Sequence, residues 1–330
     1  MVRFCAGVVS LLFVAAPDAA EPETTETPTA EIVLVTGEQP GPALWQVSSG
    51  DHDLWILGKV APLPARVQWR SKQFEHVLAN SQELLLDRTG GRRPDKQQAA
   101  AERKASKLPR GQTLEDLISP ELYARATSAR ALFGDRSSID KLHPFDAANR
   151  VGMSAIRALD LKVMTASIEA EKLARKAGVK VTSIATPWPY DAYLWSLEHG
   201  SAVPCLEEAV ETVEDGGAGM LRLANAWSVG DIEALRQLVP LYAHESRQLP
   251  LSDEPATRPH EADKCTAALL GEQPASDFIA AHTALLVTES ERVLRDNRST
   301  IAVVSIADLF APDGFLAELR QRGYEVIEPQ

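Results

Sequence analysis

The pattern of apolar and polar residues near the start of the chain predicts a strand–helix–strand unit. Two mostly apolar runs, 42–47 and 52–58, flank a short polar segment containing glycine, which indicates a β-hairpin. The segment SKQFEHVLAN then places its apolar residues at helical spacing. The run ELLLD, residues 83–87, has the length and composition of a short buried strand. The simplest arrangement of these segments is a βαβ unit.

The end of the chain repeats this arrangement. Residues 301–305 form an apolar run that predicts a strand, and 312–322 predict a helix that Gly323 ends. Residues 324–327 predict a last strand.

Between the two ends the pattern is mostly helical. Residues 113–134 predict a pair of helices, the second capped by Ser119, and Pro144 begins another helix. A further helix stops at Gly178 and is followed by a strand. Most of 190–297 is predicted to be helical.

These elements predict an α/β fold in which the N- and C-terminal strand–loop–helix–strand units form one sheet with a largely helical middle. We expect residues 41–330 to be a single domain with a helical insertion at about 190–297. Ligands of such sheets bind beyond the carboxyl ends of the strands, so the turns at 59–64 and 307–312 are where a site is expected. The basic, polar stretch 89–112 is predicted to be a mobile excursion.

The first 40 residues carry the pattern of an export signal. One arginine precedes an apolar run from 4 to 16, and small residues follow it, as in a secretory signal peptide over 1–20. Residues 21–40 predict a disordered leader rich in acids, threonine and proline. The prediction is a periplasmic or secreted protein without a transmembrane span in its mature form; the alternative for 1–20 is a disordered or core segment.

Charge and cysteine content narrow the function further. The net charge of −12 argues against nucleic acid and anionic lipid as partners, because no basic stripe is present to contact phosphates. Once a signal peptide is removed, Cys205 and Cys265 remain and are candidates for a disulfide in an oxidising compartment. The alternative is two buried free thiols. The spacings of Cys and His that form zinc sites are absent from the sequence.

Two motifs at opposite ends of the chain resemble those of the TraB/GumN family. The first, LWILGKVAPLP, keeps a glycine (Gly58) and the Leu-Pro pair at 63–64, and the second lies within VVSIADLFAPDGFLAELRQRGYEV. The second motif keeps Leu309, Pro312, Gly314, Gly323, Tyr324 and Val326. The resemblance covers nearly all of 42–329. It implies the family's fold and, through the Tiki relatives described as metal-dependent proteases, a metal site at these turns.

The polar residues of those motifs are mostly replaced. Ala61 and Asp308 stand where the family has its two motif histidines, and Ser305 stands where the second motif has a glycine. Ala185 stands where the family has an acid, and Ser167 where it has an aspartate. The acid that ends the second strand remains as Asp87, where glutamate is usual. A catalytic metal ion requires about three protein ligands, and Ala61 offers none. Lys59 would place an ammonium group near the site, which opposes a divalent cation unless the side chain points away.

Three hypotheses about function follow, of which the sequence favours the first and leaves the second as its alternative. The first is a non-catalytic binding protein, a pseudoenzyme with degenerate motifs and no cofactor, for a peptide, glycan or protein partner. The second is an active metal-dependent hydrolase or peptidase in which Asp87 and Asp308 hold a divalent metal, or Lys59 participates. The third is a helical scaffold whose turns are inert.

The candidate ligand-binding residues are Gly58, Lys59, Trp69, Arg70 and Asp308. Trp69 and Arg70 could line a pocket or bind a carboxylate, the alternatives being core packing and a surface salt bridge. Seven histidines are scattered without ligand spacing, and we expect them at the surface or at helix caps: His52, His76, His143, His199, His244, His260 and His282. The sequence has no serine-nucleophile motif and no glycine-rich phosphate loop.

Overall fold

A six-stranded mixed sheet with strands from both ends of the chain lies at the centre of the computed structural model. The structure describes residues 37–39, 41–65, 67–69, 72–88, 95–163, 165–186, 202–239, 265, 268, 273–312 and 314–329. All of them belong to one unit of the chain, Ile32–Gln330. The predicted signal peptide and most of the predicted leader lie outside the described residues. Gly37–Gln39, predicted to be the end of the disordered leader, instead forms a strand.

The strands, in chain order, are β1 (Gly37–Gln39), β2 (Leu44–Ser49), β3 (His52–Lys59), β4 (Leu63–Pro64), β5 (Val67–Trp69), β6 (Glu83–Asp87), β7 (Leu161–Lys162), β8 (Lys180–Ile184), β9 (Ser299–Ser305) and β10 (Glu325–Ile327). The described α-helices are α1 (Lys72–Asn80), α2 (Lys96–Ala105), α3 (Pro120–Leu132), α4 (Pro144–Ala158), α5 (Thr165–Ala177), α6 (Val203–Glu214), α7 (Ala218–Val229), α8 (Ile232–Leu238), α9 (Gln273–Asp296), α10 (Ile306–Phe310) and α11 (Phe315–Gln321). A 3₁₀ turn, Leu114–Asp116, precedes α3.

The central sheet has the strand order β10-β2-β3-β9-β6-β8. Strands β3, β9, β6 and β8 are parallel, and β2 joins β3 through the predicted hairpin. The outer strand β10 pairs antiparallel with β2, so both ends of the chain contribute to one sheet as predicted. Two short two-stranded pairings, β1 with β5 and β4 with β7, lie outside this sheet.

Two apolar clusters account for the architecture. The larger one packs helices on the sheet, whose middle strands β6 and β9 are buried on both faces, which explains their unbroken apolar runs. The smaller one lies between α3, α4 and α6 in the helical middle. There a disulfide joins Cys205 to Cys265 with a sulfur–sulfur distance of 2.01 Å, as the sequence predicts.

The structure corrects two local predictions. The stretch predicted to be a mobile excursion contains α2, which begins at a capping box formed by Asp95 and Gln98. No residue of α2 is buried, so apolar spacing gave no signal for this helix. The helix predicted at 312–322 is confirmed as α11, but the turn predicted before it contains a further short helix, α10, which begins directly after β9. Among the described residues no helix is both long and apolar enough to cross a membrane.

Candidate functional site

The carboxyl ends of three neighbouring parallel strands meet at one edge of the sheet. Strand β3 ends at Lys59, which pairs in register with Ser305 at the end of β9. Strand β6, on the other side of β9, ends at Asp87. Because these strands are parallel and in register, the residues that follow them are brought together, although they come from opposite ends of the chain.

Lys59 and Asp87 form an ion pair at this edge. The Lys59 ammonium nitrogen, Nζ, donates to the backbone oxygen of Asp87 at 2.6 Å and to its carboxylate oxygen Oδ2 at 3.0 Å. The Asp87 side chain is 3% exposed and that of Lys59 20% exposed. The lysine therefore points towards the site, not away from it.

Asp308 reaches the same edge from the first turn of α10. This short helix lies directly over strand β3 at Gly58, where a Cβ atom would be 2.9 Å from Cγ1 of Ile306 and 3.1 Å from Cδ1 of Leu309. A glycine is needed at position 58 because α10 packs too close to leave room for a side chain. The role of Gly58 is therefore in packing. Its carbonyl oxygen accepts a hydrogen bond of 2.6 Å from Nε1 of Trp227 in α7, and this bond ties the helical middle to the site.

A histidine that was not among the predicted site residues completes the cluster. His282 lies in α9, which packs against β3 and β9, and its ring nitrogen Nε2 is 3.3 Å from Oδ2 of Asp308. The histidine is 7% exposed, so the prediction of a surface or capping position is wrong for this residue. That prediction is confirmed for two others, since His76 is exposed and His143 caps α4.

The other ring nitrogen of His282 is also held. Nδ1 lies 3.0 Å from the hydroxyl oxygen of Thr186, which is itself buried just beyond the end of β8. Thr186 directly follows Ala185, the position where the resemblance places an acid. The ring of Phe278, one turn earlier in α9, stacks nearly parallel to the imidazole. The orientation of the imidazole is therefore fixed on several sides.

The excess of negative charge in the cluster favours the binding of one further positive charge. Burial lowers the pKa of His282, but the hydrogen bond to Asp308 and the negative charges of Asp308 and Asp87 raise it, and the net result is a pKa above the ordinary value despite the opposing charge of Lys59. With a neutral imidazole, two carboxylates face a single ammonium. The cluster can therefore accept either a proton on His282 or a metal cation.

The residues present fit a divalent metal ion by their chemistry. One donor atom each from Asp87, His282 and Asp308 lies within 4.8 Å of the others. Two carboxylates and an imidazole form a mixed oxygen and nitrogen set of the kind that suits manganese, iron or zinc. Thr186 has the position of the hydrogen-bond partner that orients a metal-bound histidine through its second nitrogen. This set supplies the third ligand that Ala61, which is exposed in its turn, does not.

The structure thus brings together Lys59, Asp87 and Asp308, with Gly58 beneath them. Arg70 and the side chain of Trp69 lie outside the described residues. The pattern of α9 does contain a signal for His282, since it occupies the same face as Leu286, Ser290 and Leu294 at intervals of four residues, all buried. A histidine within an otherwise buried helical face is either hydrogen-bonded in the core or part of a site.

Comparison with known proteins identifies the family of the chain. No curated protein and no solved structure gives a significant match. The model of one protein family matches residues 43–328, from the first strand of the central sheet to just past the last. That match covers most of the chain, and the protein belongs to the TraB/PrgY/gumN family.

Proposed function

We propose that this protein is a metal-dependent hydrolase acting on peptides, with a metal centre formed by Asp87, His282 and Asp308. The observation that carries the proposal is the convergence of these three donor atoms within 4.8 Å at the carboxyl edge of the sheet. This edge is where an active site of such a fold is expected. The peptide substrate class comes from the resemblance to the metal-dependent proteases related to Tiki.

The ligand set differs from that implied by the family motifs. Ala61 and Asp308 replace the motif histidines, and His282 enters from a different helix to stand 3.3 Å from Asp308. The site thus has one imidazole and two carboxylates, of which only Asp87 stands where the family motifs have an acid. This is the second of the sequence-based hypotheses, a rearranged site, with His282 added as the missing ligand.

The residues of the site have separable roles. A divalent metal bound there would polarise a peptide carbonyl group and lower the pKa of water. Asp87 and Asp308 would hold the ion by their carboxylates and His282 by Nε2, with Thr186 keeping the imidazole in place. Lys59 fixes the Asp87 carboxylate and places a positive charge beside the centre, which would stabilise negative charge developing on the carbonyl oxygen under attack.

The test is the metal content of protein purified without chelator and without a metal-affinity tag, measured by elemental analysis. We expect near-stoichiometric manganese, iron or zinc, with loss of the metal in Asp87→Ala, His282→Ala and Asp308→Ala. His76→Ala is the matched histidine control, since His76 is exposed on α1, and Asp296→Ala is the matched carboxylate control, since Asp296 is exposed at the end of α9. Cleavage of a peptide library should disappear with the metal.

A second candidate function is the non-catalytic binding of a peptide, glycan or protein partner. The observation in its favour is that the charged groups satisfy one another, Lys59 with Asp87 and His282 with Asp308. Metal at background level in the wild type, together with a partner captured from periplasmic extract whose binding is lost in Lys59→Ala and Asp308→Ala, would establish this function instead.

The disulfide between Cys205 and Cys265 supports a location in the periplasm or outside the cell. We propose that residues 1–20 direct export. Fusion of this segment to a reporter enzyme that is active only after export tests the proposal directly, and a reporter that stays inactive would contradict it.

A further inference from the structure

Ser167 is a buried serine whose hydroxyl has no hydrogen-bond partner among the residues that the structure describes. It lies in the first turn of α5 and is 3% exposed. The other buried serines that the structure describes, in contrast, each donate to a backbone oxygen three or four residues earlier: Ser81, Ser154, Ser228 and Ser290. A buried hydroxyl left without a partner costs about 1–3 kcal/mol, so it requires an explanation.

The first turn of α5 lies at the same edge of the sheet as the proposed metal centre. Glu171, one turn further along α5, forms an ion pair with Arg88, the residue that directly follows Asp87. Since α5 leads back to the start of β8, its beginning lies towards the carboxyl ends of the strands. Strand β7 comes just before α5 and pairs with β4. Strand β4 itself follows the turn after Lys59.

The chemistry at the start of α5 suits an anion. The first N–H groups of a helix have no acceptor within the helix and carry the positive end of its dipole. Side chains in a helix tilt towards its N-terminus, so the Ser167 hydroxyl leans towards these groups. With 13 residues, α5 is long enough for this effect. Where the family resemblance places an aspartate, which would repel an anion, this chain has a hydroxyl that can donate a hydrogen bond.

We infer that Ser167 and the first turn of α5 form a subsite for an oxyanion of the substrate, namely a carboxylate close to the peptide bond that is cleaved. This inference rests on the proposed peptidase function for the identity of the substrate, though not for the binding itself. The Ser167 hydroxyl would donate to the oxyanion and so gain the partner that it lacks. The preferred substrates are then short peptides with a free carboxylate next to the scissile bond.

The experiment measures binding by calorimetry to the chelator-treated protein, so that its outcome does not depend on the metal. The probes are N-acetyl-dialanine, the same peptide with an amidated C-terminus, and inorganic phosphate. We expect the free acid to bind and the amide to bind much more weakly. Ser167→Ala should weaken the acid about tenfold or more, because a hydrogen bond to a charged group is lost. Its melting temperature should not fall, because the hydroxyl has no partner within the protein.

Ser154→Ala is the matched control, since Ser154 is equally buried but donates to the Val151 carbonyl. It should bind the acid as the wild type does. Equal binding of the acid by wild type and Ser167→Ala, or no binding by the wild type, overturns the inference. Binding of phosphate without binding of the peptide acid overturns the assignment to peptides. A protein that holds no metal but binds the acid through Ser167 contradicts the proposed hydrolase while supporting this subsite.

Discussion

Nε2 of His282 lies 3.3 Å from Oδ2 of Asp308, although the two residues are 26 positions apart and come from different helices. A carboxylate oxygen can only accept, so a proton or a cation has to lie between these two atoms. With Asp87 close by and Lys59 bound to it, the spacing of these groups defines the candidate site.

Thr186→Val should weaken binding of the metal about 10- to 100-fold, because it removes the hydrogen-bond partner of Nδ1 and frees the imidazole to rotate. Titration of the metal-free protein with manganese or zinc measures the change. Thr186→Ser keeps the hydroxyl and should restore most of the affinity. Equal affinities in all three proteins would show that Thr186 does not position His282.

Lys59→Met should lower the stability of the metal-free protein and increase its stabilisation by metal. The substitution deprives the buried Asp87 carboxylate of its ammonium partner, at a cost of about 1–3 kcal/mol, and also removes a charge that repels a divalent cation. Thermal unfolding with and without added metal measures both effects. Lys172→Met is the control, since the ion pair of Lys172 with Glu169 is exposed, and it should change neither quantity. A smaller gain from metal in Lys59→Met would contradict the prediction.

Gly58→Ala should destabilise the protein by about 1–3 kcal/mol and weaken the metal centre, because the added methyl group would push α10, and Asp308 with it, away from β3. Denaturant unfolding and metal titration give the two values. At Gly152, within α4, a Cβ atom would meet nothing within 4 Å. Gly152→Ala should therefore stabilise the protein by about 0.5–1 kcal/mol, and a loss of stability as large as that of Gly58→Ala would contradict crowding by α10 as the cause of the Gly58 effect.

Asp146 makes stability depend on pH far from the site. Burial, with a smaller effect from Glu102, raises its pKa to about 6, and its Oδ2 atom has no hydrogen-bond partner. The folded state then binds a proton more tightly than the unfolded state, whose pKa is 3.8. This group's contribution to stability is therefore lost as the pH rises from about 4 to about 6.

Asp146→Asn should accordingly raise the melting temperature at pH 7.5 and change it little at pH 4. Asp296→Asn, an exposed carboxylate at the end of α9, should have a similar small effect at both pH values. If Asp146→Asn proves equally stabilising at pH 4 and pH 7.5, the buried charge is not the cause.

Local sequence predicted the elements whose apolar residues face a core. The hairpin of β2 and β3, strand β6 and helix α1 lie where their apolar residues indicate, because burial of one face selects both the element and its register. It did not predict α2, which buries no residue and begins at a cap formed by Asp95. A polar helix of this kind leaves no periodic apolar pattern to detect.

The sequence predicted the site only in part. Asp87 and Asp308 were selected because each lies at or just beyond the end of a predicted strand, where ligands of parallel sheets bind. His282 was missed because it lies within α9, a 24-residue helix, and not at the end of a strand. The packing role of Gly58 was not predicted either, because it depends on the close approach of Ile306 and Leu309.

The sequence by itself determined the family, the central strands and the two acidic residues at their ends, because these depend on local patterns of apolar residues, glycine and proline. Only the tertiary structure decided that His282 and Thr186 join Asp308, that Lys59 turns towards Asp87, and that Ser167 is buried without a partner. Such contacts depend on how helices pack across the sheet. That packing brings together residues up to 221 positions apart in the metal set alone, Asp87 to Asp308, and no local pattern specifies it.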